Sequence, residues 1–381
     1  MSFSLHKKVE LRLLGKLVRV NWLLLLLLGT LAFLGFITLY SAAGGNYEPW
    51  AYKHGMRFIF CAFLLLAVGL TNIRIIYDLA YPLYFLSLVL LISVLFFPSD
   101  TGSADRWISV AGFNFQPSEL IKITMVLALA RFFNGVQLQN LSIFKHLFLP
   151  TFFIIFFPVL IILFQPDLGT AAIILLTSVV ILWIAGIKKI FFILTGFIFF
   201  AITPYIWNFM LHDYQKNRIL TFLNPQNDPL GSGYHIIQSK IALGSGSFWG
   251  KGFLKGTQSQ LNFLPEKHTD FVFTTFGEEF GFAGSLFLLI VYFIIFSISF
   301  YIAIKSRNYF GRLLAIGLAW GFFINFAINI AMVIGLVPVV GAPLPLMSYG
   351  GSSMLSTMLG FGLLTCVYVH KEVEISKSSD L

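Results

Sequence analysis

The chain has 381 residues, of which 58% are hydrophobic and only 11% are charged. This composition excludes a water-soluble globular protein. Its mean hydropathy of +0.87 comes from recurring apolar runs of about 18 residues or more, each long enough to cross a bilayer as a helix. The net charge of +9 is spread over the ends of these runs, as membrane topology predicts, and does not form a patch for nucleic acid. The sequence therefore predicts a polytopic membrane protein that binds no nucleic acid.

The apolar runs, taken in chain order, predict an all-α protein with about ten transmembrane helices. The predicted spans are 19–42, 55–71, 78–97, 117–134, 147–164, 168–186, 189–206, 271–304, 310–334 and 350–369. Prolines are expected to kink or start several of these helices, at Pro82, Pro150, Pro158 and Pro204. We expect the whole chain, 1–381, to form a single transmembrane domain.

The Lys and Arg residues of the connections predict that both termini are cytoplasmic. With that orientation, residues 207–270 form one long extracytoplasmic segment between the seventh and eighth helices. Within it, YHIIQSKIAL has helical periodicity and is followed by Gly-rich turns. The first apolar run is too long for a cleaved signal and is expected to be retained. Cys61 and Cys366 fall in apolar runs, which indicates packed thiols and no disulfide framework.

The densest group of ionisable residues lies at 261–281, where the polar segment meets the eighth apolar run at Asp270. Asp270 is either the N-cap of that helix, which would lower its pKa, or a functional carboxylate at the edge of the bilayer. If the helix runs on, Asp270 would share one face with Thr274 and Glu278. Glu266 and His268 alternate with Asp270, so a divalent cation bridging a pyrophosphate stays open, whereas a stable zinc site is disfavoured.

A helix-start signal lies in QPSELIK, where Pro117 fits the first helical position. Glu119 and Lys122 can pair at i and i+3 on that helix. They are either a buried ion pair or, together with Arg106 and Trp107 at the outer interface, part of an anion site. The sequence leaves both interpretations open.

Two further stretches combine polar residues with turn formers. In FQPDLGTA, Asp167 is predicted to cap the next helix, and Gly169 allows close packing. The Pro- and Gly-rich residues 335–353, GLVPVVGAPLPLMSYGGSS, are expected to re-enter the bundle or line a cavity, since irregular backbone at membrane depth must be shielded from lipid. Their Gly and Ser residues form either backbone donors for an anion or a plain turn.

Four motifs resemble, in the same order, those of the SEDS family of bacterial morphogenesis proteins. They are RWISVAGFNFQPSELIK, QPDLGT, NPQNDPLGSGYHIIQSKIALGSGSFWGKGFLKGTQSQLNFLPEKHTDFVFTTFGEEFG and PLPLMSYGGSS. The form GTQSQLNFLPEKHTDF is similar to the RodA branch of the family rather than to its division relative, the FtsW branch. The resemblance extends over essentially all of the predicted spans.

This resemblance implies a peptidoglycan glycosyltransferase that polymerises lipid II, the lipid-linked disaccharide-pentapeptide, during cell elongation and rod-shape maintenance. The reaction would take place on the outer face of the bacterial cytoplasmic (inner) membrane. The family's essential aspartate falls on Asp270. Importance without a firm chemical role is implied for Arg106, Trp107, Glu119, Lys122, Gln165, Asp167 and Lys240. The implied partners are a class B penicillin-binding protein, which supplies transpeptidation, and the MreC and MreD scaffold.

Glycosyl transfer from an undecaprenyl pyrophosphate donor needs a base for the acceptor hydroxyl and cations for the departing pyrophosphate. We therefore expect Asp270 to be the general base, with Lys240, Arg106 or Lys122 among the groups that neutralise the pyrophosphate. A divalent cation, Mg or Mn, is an open question as a cofactor. Because the polyprenyl tail must stay in the bilayer, we expect the site to open sideways to lipid.

Two rival interpretations belong to other functional classes. In a lipid II flippase, Glu119 and Lys122 would form the transport pathway as intramembrane charges. In a scaffold, the chain would only position the penicillin-binding protein. The sequence has no inverted repeat clear enough to use, which weighs modestly against transport.

Overall fold

The computed structural model describes residues 13–96, 106–110, 113–134, 148, 150–211, 213–228, 231–261, 263–264 and 266–375. Helices make up most of this part of the chain. They are α1 (Leu13–Val18), α2 (Trp22–Ala42), α3 (Ala51–Leu70), α4 (Ile73–Phe96), α5 (Pro117–Asn134), α6 (Phe157–Phe164, preceded by a π-helical stretch, Thr151–Phe156), α7 (Leu168–Ile184), α8 (Lys189–Tyr205), α9 (Asp213–Leu223), α10 (Ser232–Ser245), α11 (Thr257–Gln260), α12 (Val272–Lys305), α13 (Tyr309–Val333) and α14 (Gly351–Val369).

Each predicted span falls on one of these helices. α3 and α4 begin about a turn earlier than predicted, because these helices continue through charged residues such as Lys53 and Arg74. Within the described residues, seven helices are long and apolar enough to cross a membrane, while α6 and α7 are shorter and α5 carries Glu119, Lys122 and Arg131. The all-α, multi-pass class is therefore confirmed. The count of ten spans and the cytoplasmic position of the termini stay predictions.

The short helices α1, α9 and α11 were not predicted, and neither was a short antiparallel hairpin before α5. Its strands are β1 (Ile108–Val110) and β2 (Phe113–Phe115), with Ile108 opposite Phe115. It leads directly into Pro117, which starts α5 as the sequence predicts. The residues of its tip lie outside the described part of the chain.

The most enclosed helices are α5, α13 and α14, and the other long helices pack around them. α14 packs on α3, α13 on α12 and α7, and α5 on α4. By contrast, no residue of α8, all of which the structure describes, is buried by the chain. Cys61 and Cys366 are free and buried, which confirms the prediction of packed thiols.

The predicted prolines act on their helices in different ways. Pro82 and Pro204 lie inside α4 and α8, and Pro158 lies in the first turn of α6. Pro150 immediately precedes the π-helical stretch before α6, and a second π-helical stretch, Ile206–Met210, follows Pro204. A proline removes one backbone donor, and the wider turns beside these prolines accommodate that loss.

Residues 335–350 form an irregular segment packed among the helices, here called the buried loop. Leu344, Leu346 and Met347 are almost fully buried within it. A Cβ built on Gly35 of α2 would fall 2.7 Å from the Met347 Cα, so only glycine allows this approach. The Tyr292 hydroxyl donates to the Pro345 carbonyl at 2.6 Å. The structure thus confirms that this Pro- and Gly-rich stretch enters the bundle, which it does at residues 342–348, whereas Leu336 and Gly341 stay exposed.

α12 is broken at Gly281, which has φ of 65°. The preceding loop closes the break with four backbone hydrogen bonds of 3.0 Å. The amides of residues 282 and 283 donate to the carbonyls of Ser247 and Phe248, and the amides of residues 251 and 252 donate to the carbonyls of Glu278 and Glu279. The loop thus supplies partners for two amides and two carbonyls of α12 on either side of the break.

Candidate functional site

Asp270 lies in a turn that begins at Glu266 and closes at Phe271, the N-cap residue of α12. The amides of Thr269 and Phe271 both donate to the Glu266 carbonyl at 3.2 Å. Phe271 occupies the cap position, and no side chain caps the helix. The N-cap interpretation of Asp270 is therefore wrong, because the chain folds back on Glu266 before the helix begins and the carboxyl is not used by the first helical amides.

Side chains of α13 and of the buried loop bind the backbone of this turn. The Asn329 side-chain amide donates to the Asp270 carbonyl at 2.9 Å and to the Ala342 carbonyl at 2.6 Å. The Ser348 hydroxyl donates to the Thr269 carbonyl at 2.6 Å. These contacts fix the backbone of Asp270 and leave its carboxyl group unconstrained.

The Asp270 carboxyl faces Gly341 of the buried loop. A Cβ on Gly341 would come within 3.5 Å of Asp270 Oδ2, and Gly341 has φ of 73°, a conformation that favours glycine. Asp270 is partly exposed. No described residue donates a hydrogen bond to its carboxylate oxygens, so they are available to a ligand.

Burial raises the pKa of Asp270 from 3.8 to about 6, and the neighbouring charges act on it in both directions. Glu266 raises the pKa further, Arg218 of α9 lowers it, and Asp167 raises it slightly. A carboxylate with this pKa is mostly ionised at neutral pH but still takes up a proton readily. Those are the properties of a general base.

Two residues near this carboxyl were not singled out from the sequence. Arg218 Nη1 donates to the Val339 carbonyl at 3.3 Å, which brings its charge beside the buried loop. The His235 ring of α10 lies 6.0 Å from the Phe271 ring, and burial lowers its pKa, with Glu266 opposing that effect. The only available signal was their position in the amphipathic part of the long segment, and many other polar residues share that position.

Arg106, Gln165 and Asp167 meet at the turn between α6 and α7. Arg106 Nε donates to the Gln165 carbonyl at 2.8 Å, Arg106 Nη2 donates to the Pro166 carbonyl, and Nη1 lies 4.0 Å from Asp167. Asp167 caps α7 through the Thr170 amide at 3.1 Å, as predicted. Arg106 therefore braces the turn that places Asp167 in electrostatic range of Asp270. Trp107 is half-buried next to it.

Glu119 and Lys122 form an ion pair of 2.9 Å inside the bundle. Glu119 also accepts from the Ser356 hydroxyl at 2.8 Å, and Lys122 Nζ lies 3.5 Å from Asn325 Oδ1. They line a narrow cavity between α5, α7, α13 and α14. The ion-pair interpretation is correct, and the pair also faces a cavity.

Asp270 and the Glu119–Lys122 pair form two separate sites that lie close to each other. Asp270 does not line the cavity. Asn329 binds the Asp270 backbone and Asn325 approaches Lys122, and these two asparagines are one turn apart on α13, a rise of roughly 6 Å. Lys240 lies elsewhere on α10, where its side chain packs across Gly335.

Glu278 and Glu279 do not join the Asp270 group. Glu278 accepts from Lys251 Nζ at 2.7 Å and from the Gln258 amide at 3.1 Å, and Glu279 accepts from the Ser41 hydroxyl. The predicted face shared by Asp270, Thr274 and Glu278 is wrong, because Asp270 precedes the helix. Thr274 and Glu278 are fully buried against the long segment, where Thr274 contacts Ser239 of α10 and Glu278 holds the loop after α10.

Protein side chains alone do not build a metal site in the described residues, where no group of three or more His, Cys, Asp or Glu could hold an ion. The His268 ring stacks on Trp50, with centroids 4.4 Å apart and planes 9° apart. His268 is therefore engaged in that stack, and burial lowers its pKa. A cation at Asp270 would need ligands from a substrate.

Comparison with known proteins agrees with this architecture. Residues 16–373 match the family model FTSW_RODA_SPOVE, described as cell cycle protein. The chain is 39% identical over 363 residues to the peptidoglycan glycosyltransferase MrdB of Escherichia coli K12, covering 93% of this chain and 95% of that protein. A chain of a peptidoglycan synthase complex that coordinates polymerization and crosslinking aligns with a TM-score of 0.78 and 31% identity, over 92% of this chain and 98% of that chain.

The rod shape determining protein RodA of Thermus thermophilus aligns with a TM-score of 0.68 and 28% identity, covering 92% of this chain and 97% of that one. Together with the recurring apolar helices, these matches make the chain a multi-pass protein of the bacterial inner membrane. It belongs to the FtsW/RodA/SpoVE family of cell cycle proteins, the SEDS family that its sequence motifs resemble.

Proposed function

We propose that this chain is a peptidoglycan glycosyltransferase that polymerises lipid II and that Asp270 is its general base. One observation carries the assignment of the base. The Asp270 carboxyl is partly exposed, accepts no hydrogen bond from the described residues, and has a pKa raised to about 6 by burial. The names of the related glycosyltransferases support the reaction class.

In the proposed step, the acceptor sugar hydroxyl gives its proton to an Asp270 carboxylate oxygen. The hydroxyl oxygen then forms a bond to the anomeric carbon of the donor sugar, and the bond from that carbon to the pyrophosphate breaks. Undecaprenyl pyrophosphate leaves as an anion, so no second acid is needed. Removal of the proton by a positioned base contributes about a hundredfold to ten-thousandfold to the rate.

The departing pyrophosphate needs positive charge near Asp270. Arg218 acts on the Asp270 carboxyl electrostatically and is therefore added to the candidates Lys240, Arg106 and Lys122. Arg106 is already bonded to two carbonyls of its turn and Lys122 to Glu119. Arg218 and Lys240, both exposed on helices of the long segment, fit the role of binding an incoming headgroup better.

The site is placed on the periplasmic or outer face, with both termini in the cytoplasm. Support comes from the charge of the short connections and from the three helices of the long segment next to Asp270. A polyprenyl tail would remain in the bilayer while its headgroup enters from the side. The proposed partners are a class B penicillin-binding transpeptidase and the MreC and MreD scaffold. The relative in a complex of polymerization and crosslinking supports the first of these.

The decisive test is the Asp270→Asn substitution in purified full-length chain with lipid II. Polymerisation should fall by about a hundredfold or more, because asparagine cannot take the proton. Asp213→Asn, an exposed carboxylate of the same segment, is the matched control and should retain activity. Polymerisation by Asp270→Asn at the control rate would refute the assignment.

A loss of activity must be separated from a loss of folding. The folded-state pKa of Asp270, about 6, lies above its ordinary 3.8, so ionisation costs stability increasingly between these pH values and fully above pH 6. The cost is at most about 3 kcal/mol. Asp270→Asn removes it, so its apparent melting temperature at pH 8 should equal or exceed that of the unaltered chain. A lower melting temperature would mean that the activity loss cannot be read as chemistry.

We propose that a divalent cation, Mg or Mn, is shared between the substrate pyrophosphate and the exposed Glu266 carboxylate. The described residues offer carboxylate oxygens there but too few ligands to hold an ion alone. Chelation should therefore lower polymerisation. The Mn²⁺ spin-resonance signal should change when both chain and lipid-linked pyrophosphate are present, and not with the chain alone. Full activity in excess chelator would contradict this proposal.

A further inference from the structure

The Gly281 break divides α12 into two parts of different character. The intact helix, Val272–Lys305, would span about 51 Å, well beyond the roughly 30 Å hydrocarbon layer. The part from residue 282 to residue 305 spans about 36 Å and matches that layer. Nearly all of the part before the break is buried, including Glu278, which pairs with Lys251 of the preceding loop, and Glu279, which accepts from Ser41 of α2. The break thus marks one limit of the membrane-spanning part.

The loop that closes the break carries large apolar side chains at its surface. Residues 247–254, here called the aromatic loop, expose Trp249 by 78% and Phe248 by 54%. Phe253 and Leu254 are also exposed. Its backbone is held rigidly by the hydrogen bonds across the break, and Gly250 is packed against the Glu279 carbonyl where any Cβ would collide. These side chains are therefore presented outward by a fixed scaffold.

The exposed surface of the aromatic loop continues into the lipid-facing side of α12. The Phe248 and Phe282 rings lie 5.8 Å apart, and Phe282 is exposed by 58%. From Phe282, exposed apolar residues follow at helical spacing down the same side of α12, at Leu286, Ile290 and Phe293. The loop and the helix form one uninterrupted apolar surface.

Further features place this surface at one end of the bundle. The Phe253 ring stacks at 6.2 Å on Tyr40, near the end of α2, and Leu254 lies against Gly45 just beyond it. Lys255 follows the loop and is exposed, whereas Lys251 pairs with Glu278. Aromatic rings together with a lysine at the end of spanning helices are the residues that anchor proteins at the lipid headgroup region.

We propose that the aromatic loop is inserted into the interfacial zone of the bilayer. Trp249 and Phe248 lie among the upper acyl chains, and Lys255 lies at the phospholipid phosphates. The occupant of this surface is lipid, because the surface is continuous with the lipid-facing side of α12. This anchoring fixes the position of Gly281 relative to the bilayer surface. It thereby also fixes how far residues 272–280 of α12 stand outside the hydrocarbon layer.

The test is nitroxide labelling of single cysteines in full-length chain reconstituted into phospholipid bilayers. Cys61 and Cys366, both buried, are replaced by alanine to provide the background. Labels are placed at Trp249→Cys, at Phe287→Cys as the embedded control and at Asn224→Cys as the aqueous control. Collisions with oxygen should predominate at positions 249 and 287, and collisions with a water-soluble nickel complex at position 224.

A label at position 249 that behaves like the one at 224 would overturn the proposal. Protection that appears only after a second protein is added would likewise overturn it and assign the surface to protein docking. A second readout avoids cysteine variants. The fluorescence difference between the unaltered chain and Trp249→Phe should be quenched by phospholipids brominated near the headgroup, and quenching by aqueous iodide alone would contradict the proposal.

Discussion

Asp270 and the Glu119–Lys122 pair offer a comparison between two charged regions a helical turn apart along α13. Lys122 meets Glu119 at 2.9 Å, and Ser356 satisfies a second Glu119 oxygen. Asp270 has its backbone held by Asn329, whereas no described residue donates to its carboxyl. One region is complete without a ligand and the other is not.

The paired and the unpaired carboxylate differ in how readily each can change its protonation state. A buried charge that is already paired is costly to separate from its partner, so it keeps its state through a reaction cycle. A fixed backbone with an unpaired carboxyl is positioned but remains reactive, as a base must be. The pair near the cavity therefore shapes the interior, and the contrast supports the proposal that Asp270 is the base.

The largest expected effect comes from breaking the pair. Lys122→Met leaves the buried Glu119 carboxylate with the Ser356 hydroxyl as its remaining partner. This should cost about 3 kcal/mol of stability and lower the apparent melting temperature. The measurement is thermal unfolding of the purified chain in detergent. An unchanged melting temperature would show that the pair is already solvated.

A double variant sharpens the same test. Glu119→Gln with Lys122→Met removes both charges, and neutral replacements of similar size should restore much of the stability. If polymerisation returns with stability, the pair is structural. If the stable double variant stays inactive, Lys122 or Glu119 contacts the substrate as well.

A smaller effect is expected from Asn329→Ala, which frees the carbonyls of Asp270 and Ala342. Misplacement of the base should lower kcat roughly tenfold with little change in KM. Asn325→Ala, one turn away on α13, is the matched control and should leave the pH dependence of the rate unaltered. Equal effects of both variants on kcat and on the pH profile would indicate loss of helix packing and not of positioning.

The smallest effects concern the pH profile. The rate should fall as pH drops through about 6, because protonated Asp270 cannot act as a base. Glu266→Gln should move this limb to lower pH, since Glu266 raises the pKa of Asp270, and Arg218→Gln should move it to higher pH. Each shift should be less than about one pH unit. Initial rates between pH 5 and 8.5 provide the measurement, and shifts in the same direction would contradict the assignment.

The sequence was informative about the helices because a bilayer demands long apolar runs. It also predicted the Asp167 cap, the Glu119–Lys122 pairing and the entry of residues 335–350 into the bundle, since spacing and backbone satisfaction are local rules. The resemblance to the family singled out Asp270. Residues close along the chain were enough for each of these conclusions.

The surroundings of Asp270 could not be predicted, because they come from distant parts of the chain. Arg218, Asn329 and Gly341 reach the site from α9, α13 and the buried loop. Local rules also left the cap interpretation of Asp270 open. That interpretation is wrong, because a turn closed on the Glu266 carbonyl, which cannot be seen in the sequence, competes with capping. Glu278 and Glu279, although adjacent in sequence, serve the loops instead.

The buried loop also has a consequence for biogenesis. It has no helix of its own with which to enter the membrane, and it packs against Gly35 of α2, which is synthesised well before it. Such a contact between distant parts of the chain forms late, after the intervening helices have assembled. Gly341 and Ala342 lie beside Asp270, so the proposed site is complete only after this loop has left the ribosome and docked.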